Sequence, residues 1–276
     1  MTPLEAIEKL SGQPVLVLGD MIADIYLYGI IARISREAPV LVLEQSTEKI
    51  VAGGAANVIN NGATLGGRIF AAGLVGDDNA AKGLSGILRE KSVDVSGFIK
   101  DANRSTISKT RIVAGGRTTV SQQIVRVDKE SKEPMGKAQE QQLEKYLKQV
   151  LPQVKGVVLS DYGSGTITDK LLGQIFAYCQ EHNIPTIVDS RYDILRFKTV
   201  DYIKQNDAEL SAAIGREFGS SARPPFVIQG NQPDNAELQQ GDGQHNEKQH
   251  KGGCRCRRKG PVVVGLSNMS YVGTTP

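Results

Sequence analysis

The chain has 276 residues, of which 39% are hydrophobic and 23% charged, enough for one large core or two modest ones, and no apolar run approaches the roughly 20 residues needed to span a bilayer. Basic residues number 33 and acidic ones 30, but 7 and 4 of these follow Phe218, so the body before it balances at 26 of each and offers no field for nucleic acid. The start, MTPLEAIEKL, lacks a basic leader and an apolar leader core, and the body holds a single thiol, Cys179; a cytoplasmic protein without disulfides and without a membrane anchor is expected.

Pro14-Val15-Leu16-Val17-Leu18 is a short apolar run closed by Gly19-Asp20, the signature of a buried strand with a polar residue at its carboxyl end. The pattern recurs at Arg68 to Val75, closed by Gly76-Asp77-Asp78, at Gly156 to Ser160, closed by Asp161, and at Pro185 to Val188, closed by Asp189. Helical patterns separate these runs, at Ala55 to Leu65, Ala80 to Glu90, Lys137 to Val150 and Thr168 to Glu181. In the third of them Leu143, Leu147, Val150 and Leu151 share one face and Gln141, Lys145 and Lys148 the other, as a surface helix requires. Strands alternating with helices predict an α/β body with a mostly parallel sheet covered on both faces, and ligands gather beyond the carboxyl ends of such strands.

Two segments break the alternation. Asp24 to Ile31 with Val40 to Glu44, and Ser105 to Val113 with Thr119 to Val127, are β-rich pairs with no helix between them. They predict a small antiparallel sheet, spanning about residues 24–46 and 105–128, placed as a lid that sheds water from a reaction centre.

Gly53-Gly54-Ala55-Ala56-Asn57 opens a helix; two glycines let the backbone approach a ligand, and Asn57 can both donate to and accept from hydroxyls, although the same string also makes an ordinary turn. Asp20 is a carboxylate at a strand end, suited to a sugar diol or to a turn. Asn206 and Glu209, one turn apart where the strand-like run Val200 to Ile203 passes into a helix, can orient nucleotide phosphates and a hydrated Mg²⁺, or can cap that helix as a reciprocal pair.

In this order the pieces resemble the ribokinase-like, or PfkB, family of sugar kinases, through Gly19-Asp20, Gly53-Gly54 with Asn57, Gly76-x-Asp78 and Asn206-x-x-Glu209. Within the family the chain is most similar to the kinase domain that acts on heptose 7-phosphate on the route to ADP-heptose and lipopolysaccharide. That likeness rests on Gly19-Asp20-Met21 with Asp24, Tyr26 and Gly29, on Arg33-Ile34-Ser35-x-Glu37-Ala38-Pro39-Val40, on Lys109-Thr110-Arg111, on Gln123, Arg126 and Asp128, and on Ser160-Asp161-Tyr162-Gly163. It covers residues 10 to 218, here a kinase domain 1–218 followed by an atypical stretch 219–276.

The resemblance implies a three-layer αβα body with a β-lid, ATP and Mg²⁺ as cofactors, and transfer of the γ-phosphoryl group to a sugar hydroxyl. It implies that Asp20, Asp24, Gly53, Gly54 and Asn57 surround the sugar, that Arg33, Lys109 and Arg111 meet the phosphate of a sugar-phosphate substrate, and that Asn206 and Glu209 serve the nucleotide and its metal. It also implies a nucleotidyltransferase partner domain and a homodimer formed through the lids. Other sugars handled by the family are fructose, ribose and nucleosides.

One family motif is missing. The Gly-Ala-Gly-Asp string, whose amides form an anion hole and whose Asp is the general base, does not occur; the nearest string, Gln240-Gly241-Asp242-Gly243, lacks the preceding Gly-Ala. Losing the base costs about 10²–10⁴ in rate and losing the donors about 10²–10³, so a catalytically inert sugar-binding remnant is the alternative expectation. The shift after Phe218 to Gln, Gly, Cys and Arg is what translation in a wrong reading frame produces, or a tail of unrelated origin, and such a stretch is expected to be disordered. His245, His250, Cys254 and Cys256 depart from zinc-site spacing, and the basic cluster Arg255 to Lys259 lacks interleaved aromatics.

Overall fold

The computed structural model describes residues 3–115, 120–131, 133–215 and 262–265. The chain divides into two compact units, Met1–Thr186 and Ile187–Pro276.

The first unit begins with helix α1 (Pro3–Leu10), then strands β1 (Pro14–Gly19), β2 (Met21–Ile34) and β3 (Leu41–Gly54), helix α2 (Ala55–Thr64), strand β4 (Arg68–Val75), helix α3 (Asn79–Glu90) and strands β5 (Asp94–Lys100), β6 (Ile107–Gly115) and β7 (Gln122–Lys129). Helix α4 (Lys137–Val150), strand β8 (Gly156–Asp161) and helix α5 (Asp169–His182) follow. Strands β8, β1, β4 and β5 lie side by side in that order, all parallel. Alternate residues of β1 and β4 reach opposite faces, and both sets are buried. Val17, Ile69 and Ala71 join α2 and α3 in one apolar cluster, while Leu16, Leu18, Phe70 and Ala72 are sealed on the other side. A parallel sheet with both faces covered is what the near-continuous apolar runs demanded. Helices α4 and α5 are tied together by Gln174 Nε2 donating to the Glu144 carbonyl and by Lys170 beside Glu140 and Glu144.

The helix boundaries follow local chemistry. Asp78 accepts from the Ala81 N–H and Thr168 from the Leu171 N–H, so each caps the helix that starts after it. Asp78 does more: it accepts from both the amide and the hydroxyl of Thr106, and the Thr106 hydroxyl accepts from the Gly76 N–H, which knots the end of β4 to the entry of β6. The Gly76-x-Asp78 turn is thus a structural clasp.

The lid is a second sheet, in the order β3-β2-β6-β7. It consists of two antiparallel hairpins, as expected, but the hairpins are joined by a parallel pairing of β2 with β6 in which Asp24 stands opposite Lys109 and Tyr26 opposite Arg111. β2 and β3 are each 14 residues long, and β3 runs without interruption into Gly53-Gly54 and α2.

The second unit holds all but the first residue of β9 (Thr186–Ser190), then β10 (Tyr202–Gln205), helix α6 (Asp207–Ile214) and β11 (Val262–Gly265). Here β10 is parallel to both β9 and β11. Apart from β11, the stretch 219–276, with Gln240 to Gly243, His245, His250, Cys254, Cys256 and the basic cluster, lies outside the described residues.

Candidate functional site

Gly53 and Gly54 end β3 where β1 passes into β2, and the backbone at Gly54 needs glycine. Gly54 has φ +53°, in the left-handed region, and a Cβ there would meet the Asp20 carbonyl and the Ile22 side chain. A Cβ on Gly53 would collide with the Asp24 carboxylate. The Asp24 side chain therefore lies directly against the hinge from which α2 starts, and Asn57, half-buried, stands in the first turn of that helix.

Asp24 is held by Arg111, whose Nη1 lies 2.5 Å from Asp24 Oδ1 while each side chain keeps about a fifth of its surface exposed. The Arg111 guanidinium also sits over the Tyr26 ring, 5.3 Å from its centre. Partial burial works against the Arg111 charge, but the bond to Asp24 and the charge of Asp24, with Tyr26 and Asp128 adding, raise its pKa above the ordinary value. Residues paired across the sheet share a face, so Asp24, Tyr26, Lys109 and Arg111 lie together with Lys49 (opposite Tyr26) and with Arg126 and Asp128 of β7. Arg126 is paired with Asp128 at 2.8 Å. Together these residues bring four cations and two carboxylates into one patch, net positive, beside the Gly-Gly hinge. Lys49 was not singled out from the sequence; its register opposite Tyr26 is the signal that brings it in.

Arg33 stands elsewhere. It lies nine residues beyond Asp24 on the same strand, past two irregularities in pairing, and so about 25–30 Å from Asp24 along β2. The structure does not bring it to Lys109 and Arg111.

Asp20 has an environment unlike that expected for a sugar contact: its surface is 0% exposed. Its carboxylate accepts from the backbone N–H groups of Tyr162 (2.8 Å), Ser164 (3.2 Å) and Thr166 (3.4 Å). Its own N–H donates to the Ser160 carbonyl and its carbonyl accepts from the Ala55 N–H at the start of α2. Burial pushes the Asp20 carboxyl up, with a smaller contribution from Asp161, while the hydrogen bonds from Thr166, Ser164 and Tyr162 hold it down; the balance is a raised value.

In the second unit Asn206 and Glu209 form the reciprocal cap. The Asn206 side chain accepts from the Glu209 N–H at 2.8 Å, and Glu209 Oε2 accepts from the Asn206 N–H at 3.2 Å. The cap uses one oxygen of each side chain, so the Asn206 amide nitrogen and the second Glu209 oxygen lie outside it. Glu209 borders a small pocket with Ser190, Arg191, Tyr192 and Gln205. No described group of three or more His, Cys, Asp or Glu could hold a metal ion, so a Mg²⁺ here would need phosphate oxygens and water as most of its ligands.

Residues 13–228 match the pfkB family carbohydrate kinase domain. Over 216 residues the chain is 38% identical to the bifunctional protein HldE of Helicobacter pylori, which covers 78% of this chain and 46% of that protein. Over 201 residues it is 39% identical to the bifunctional protein HldE of Geobacter metallireducens, covering 72% and 40%. The chain thus spans less than half the length of these relatives. Among solved structures it is similar to phosphofructokinase-2 from Escherichia coli, with a TM-score of 0.56 and 20% identity over 76% of this chain and 65% of that one. It is likewise similar to Arabidopsis thaliana ribokinase complexed with ribose and ATP, with a TM-score of 0.51 and 20% identity over 74% and 63%. These likenesses carry the ribokinase-like fold, an α/β body with a small lid sheet. The chain belongs to the pfkB family of carbohydrate kinases.

Proposed function

We propose that the first unit binds a phosphorylated sugar, heptose 7-phosphate in the first place, and that the chain descends from an ATP-dependent kinase that phosphorylates it for ADP-heptose synthesis. The observation that carries this reading is the lid face beside the hinge: Asp24 can accept from two sugar hydroxyls, Asn57 and the backbone at Gly53-Gly54 can approach the ring, and Lys49, Lys109 and Arg111 supply fixed positive charge for the substrate's own phosphate. Arg111 belongs to both sets, since it holds the Asp24 carboxylate and presents its remaining donors to an anion. An unphosphorylated sugar would bring no anion to Lys49 and Lys109, which favours heptose phosphate over ribose or a nucleoside. The similarity to the two HldE proteins supports the same choice.

Asn206 and Glu209 are the residues of the second unit suited to the nucleotide, the first donating to phosphate oxygens and the second holding a hydrated Mg²⁺ at the start of α6. When bound, ATP supplies the phosphoryl group and its metal neutralises the phosphate charge. A nucleotidyltransferase, on the same longer protein or on another chain, is the partner this reading implies, and pairing through the lids is the assembly it implies.

The absence of Gly-Ala-Gly-Asp from the sequence favours a second reading, in which the chain binds the sugar phosphate without turning it over. A coupled assay for ADP release, run with Mg-ATP and heptose 7-phosphate, fructose 6-phosphate, ribose or adenosine in turn, separates the two. Turnover with the heptose alone supports the kinase; binding of the heptose without ADP release supports the remnant. Turnover with ribose or adenosine in preference to both phosphorylated sugars would overturn the substrate assignment.

A further inference from the structure

We infer that Asp20 is a positioning residue: its buried carboxylate is a built-in anion that shapes the loop 162–166 and locks it to the start of α2. The loop reads Tyr162-Gly163-Ser164-Gly165-Thr166, and its two glycines have φ of +74° and +82°. Left-handed glycines between other residues let alternate backbone N–H groups turn to one side, where they can gather on an anion, while the Gly163 N–H donates to Asp161. Here the N–H groups of Tyr162, Ser164 and Thr166 all converge on Asp20, and the Thr166 side chain joins them. The anion in the cradle is therefore the protein's own.

The same residue reaches the hinge. Its carbonyl takes the Ala55 N–H, and that carbonyl is the atom a Cβ on Gly54 would meet. One residue thus ties together the carboxyl end of β1, the loop after β8 and the helix that carries Asn57, three elements at the end of the sheet where ligands gather. A sealed carboxylate is an expensive way to close a loop, because burial disfavours its charged form. What it contributes in return is a single loop conformation next to the sugar. This rests on the proposed sugar-phosphate site, and the test keeps the two apart.

The test uses Asp20→Asn in the full chain, with Gly165→Ala as a second variant that leaves the carboxylate in place and disturbs the cradle from the other side. At Gly165 an added Cβ meets only ordinary contacts, so the perturbation is the backbone's left-handed conformation. Amide hydrogen exchange is read at Tyr162, Ser164 and Thr166, amide proton shifts at the same three positions, and heptose 7-phosphate affinity by calorimetry well below the unfolding transition. Asp20→Asn is expected to accelerate exchange at these amides about tenfold or more relative to those of β1, to move their proton shifts upfield, and to weaken sugar-phosphate binding about tenfold; Gly165→Ala is expected to lower affinity in the same direction. A merely structural role would lower the melting temperature but leave the affinity of the folded protein unchanged. Unchanged exchange in Asp20→Asn, or faster exchange with unchanged affinity, overturns the inference. Should Asp20→Asn not fold, unchanged affinity in Gly165→Ala overturns it. If the wild type binds no sugar phosphate, the proposed function fails, while the exchange and shift data still decide whether Asp20 orders the loop.

Discussion

Replacing Asp24 with Asn separates what the lid face does for stability from what it does for the ligand. In the native protein the carboxylate lies 2.5 Å from Arg111, with 21% and 23% of the two side chains exposed. Unit charges near a protein surface attract by about 4 kcal/mol gross at 4 Å, but solvent screening and the ordering of both side chains leave roughly 1 kcal/mol for a pair this accessible. Asn keeps an acceptor oxygen, so the expected loss is about 1 kcal/mol, a fall of about 2–4 °C in Tm for a body of this size. The effect on the ligand is larger, because a hydrogen bond to a charged acceptor is worth about 1.5–3 kcal/mol, or about 10- to 100-fold in Kd. Thermal melts followed by circular dichroism give the first quantity and calorimetric titration with heptose 7-phosphate the second. A Tm drop accompanied by less than a twofold change in Kd would refute the reasoning and leave Asp24 as no more than the counter-ion of Arg111.

Gly54→Ala forces a Cβ into a backbone with φ +53° and against the Asp20 carbonyl, and should cost about 1–3 kcal/mol by denaturant unfolding; a neutral result would mean that the hinge tolerates side chains. Asn206→Ala removes half of the reciprocal cap of α6 and should cost about 1 kcal/mol, with a loss of Mg-ATP affinity in addition if the residue also serves the nucleotide. Burial alone would raise the Asp78 carboxyl, but hydrogen bonds from the Ala81 N–H and from the Thr106 side chain and amide outweigh it and hold the value below the ordinary range. Its contribution is therefore present above the unfolded value near about 4 and lost as pH falls through the lower folded value, so Asp78→Asn should be less stable than wild type at pH 7 with the gap closing in acid. The sign for Asp20 is opposite: its value is raised, so its burial penalty acts above that value and is relieved as pH falls through it. Asp20→Asn should consequently gain relative to wild type at neutral pH compared with acid.

The α/β body was legible because its strands are buried on both faces and read as apolar runs, each stopped by Gly or Asp. The helix spans were legible to within a residue from their helical periodicity, while the caps at Asp78 and Thr168 that set their starts are seen in the structure. β5 was not, since Asp94-Val95-Ser96-Gly97-Phe98-Ile99-Lys100 alternates weakly around a central glycine that the Tyr146 ring covers. The two hairpins could be read locally, yet their parallel joining through β2 and β6 depends on residues more than 80 positions apart, which no local pattern records. The site shows the same division. Gly54 declared a backbone requirement and Asn206-x-x-Glu209 declared a cap, both local. Asp20 could not be told from a ligand-facing carboxylate, because its three donors arrive 142 to 146 residues later in the chain. Lys49 and Arg33 look alike as lid cations; only the register puts the first level with Arg111, across Tyr26, and the second far along the strand.

The central claim is a phosphorylated-sugar site on the lid face beside the Gly53-Gly54 hinge. Calorimetric titration of the full chain with heptose 7-phosphate and, separately, with the unphosphorylated heptose tests it most directly. The account predicts saturable binding of the phosphate ester and binding of the free sugar at least about tenfold weaker, the equivalent of about one charge-assisted contact. Equal affinity for the two sugars, or no binding of the ester, would contradict it.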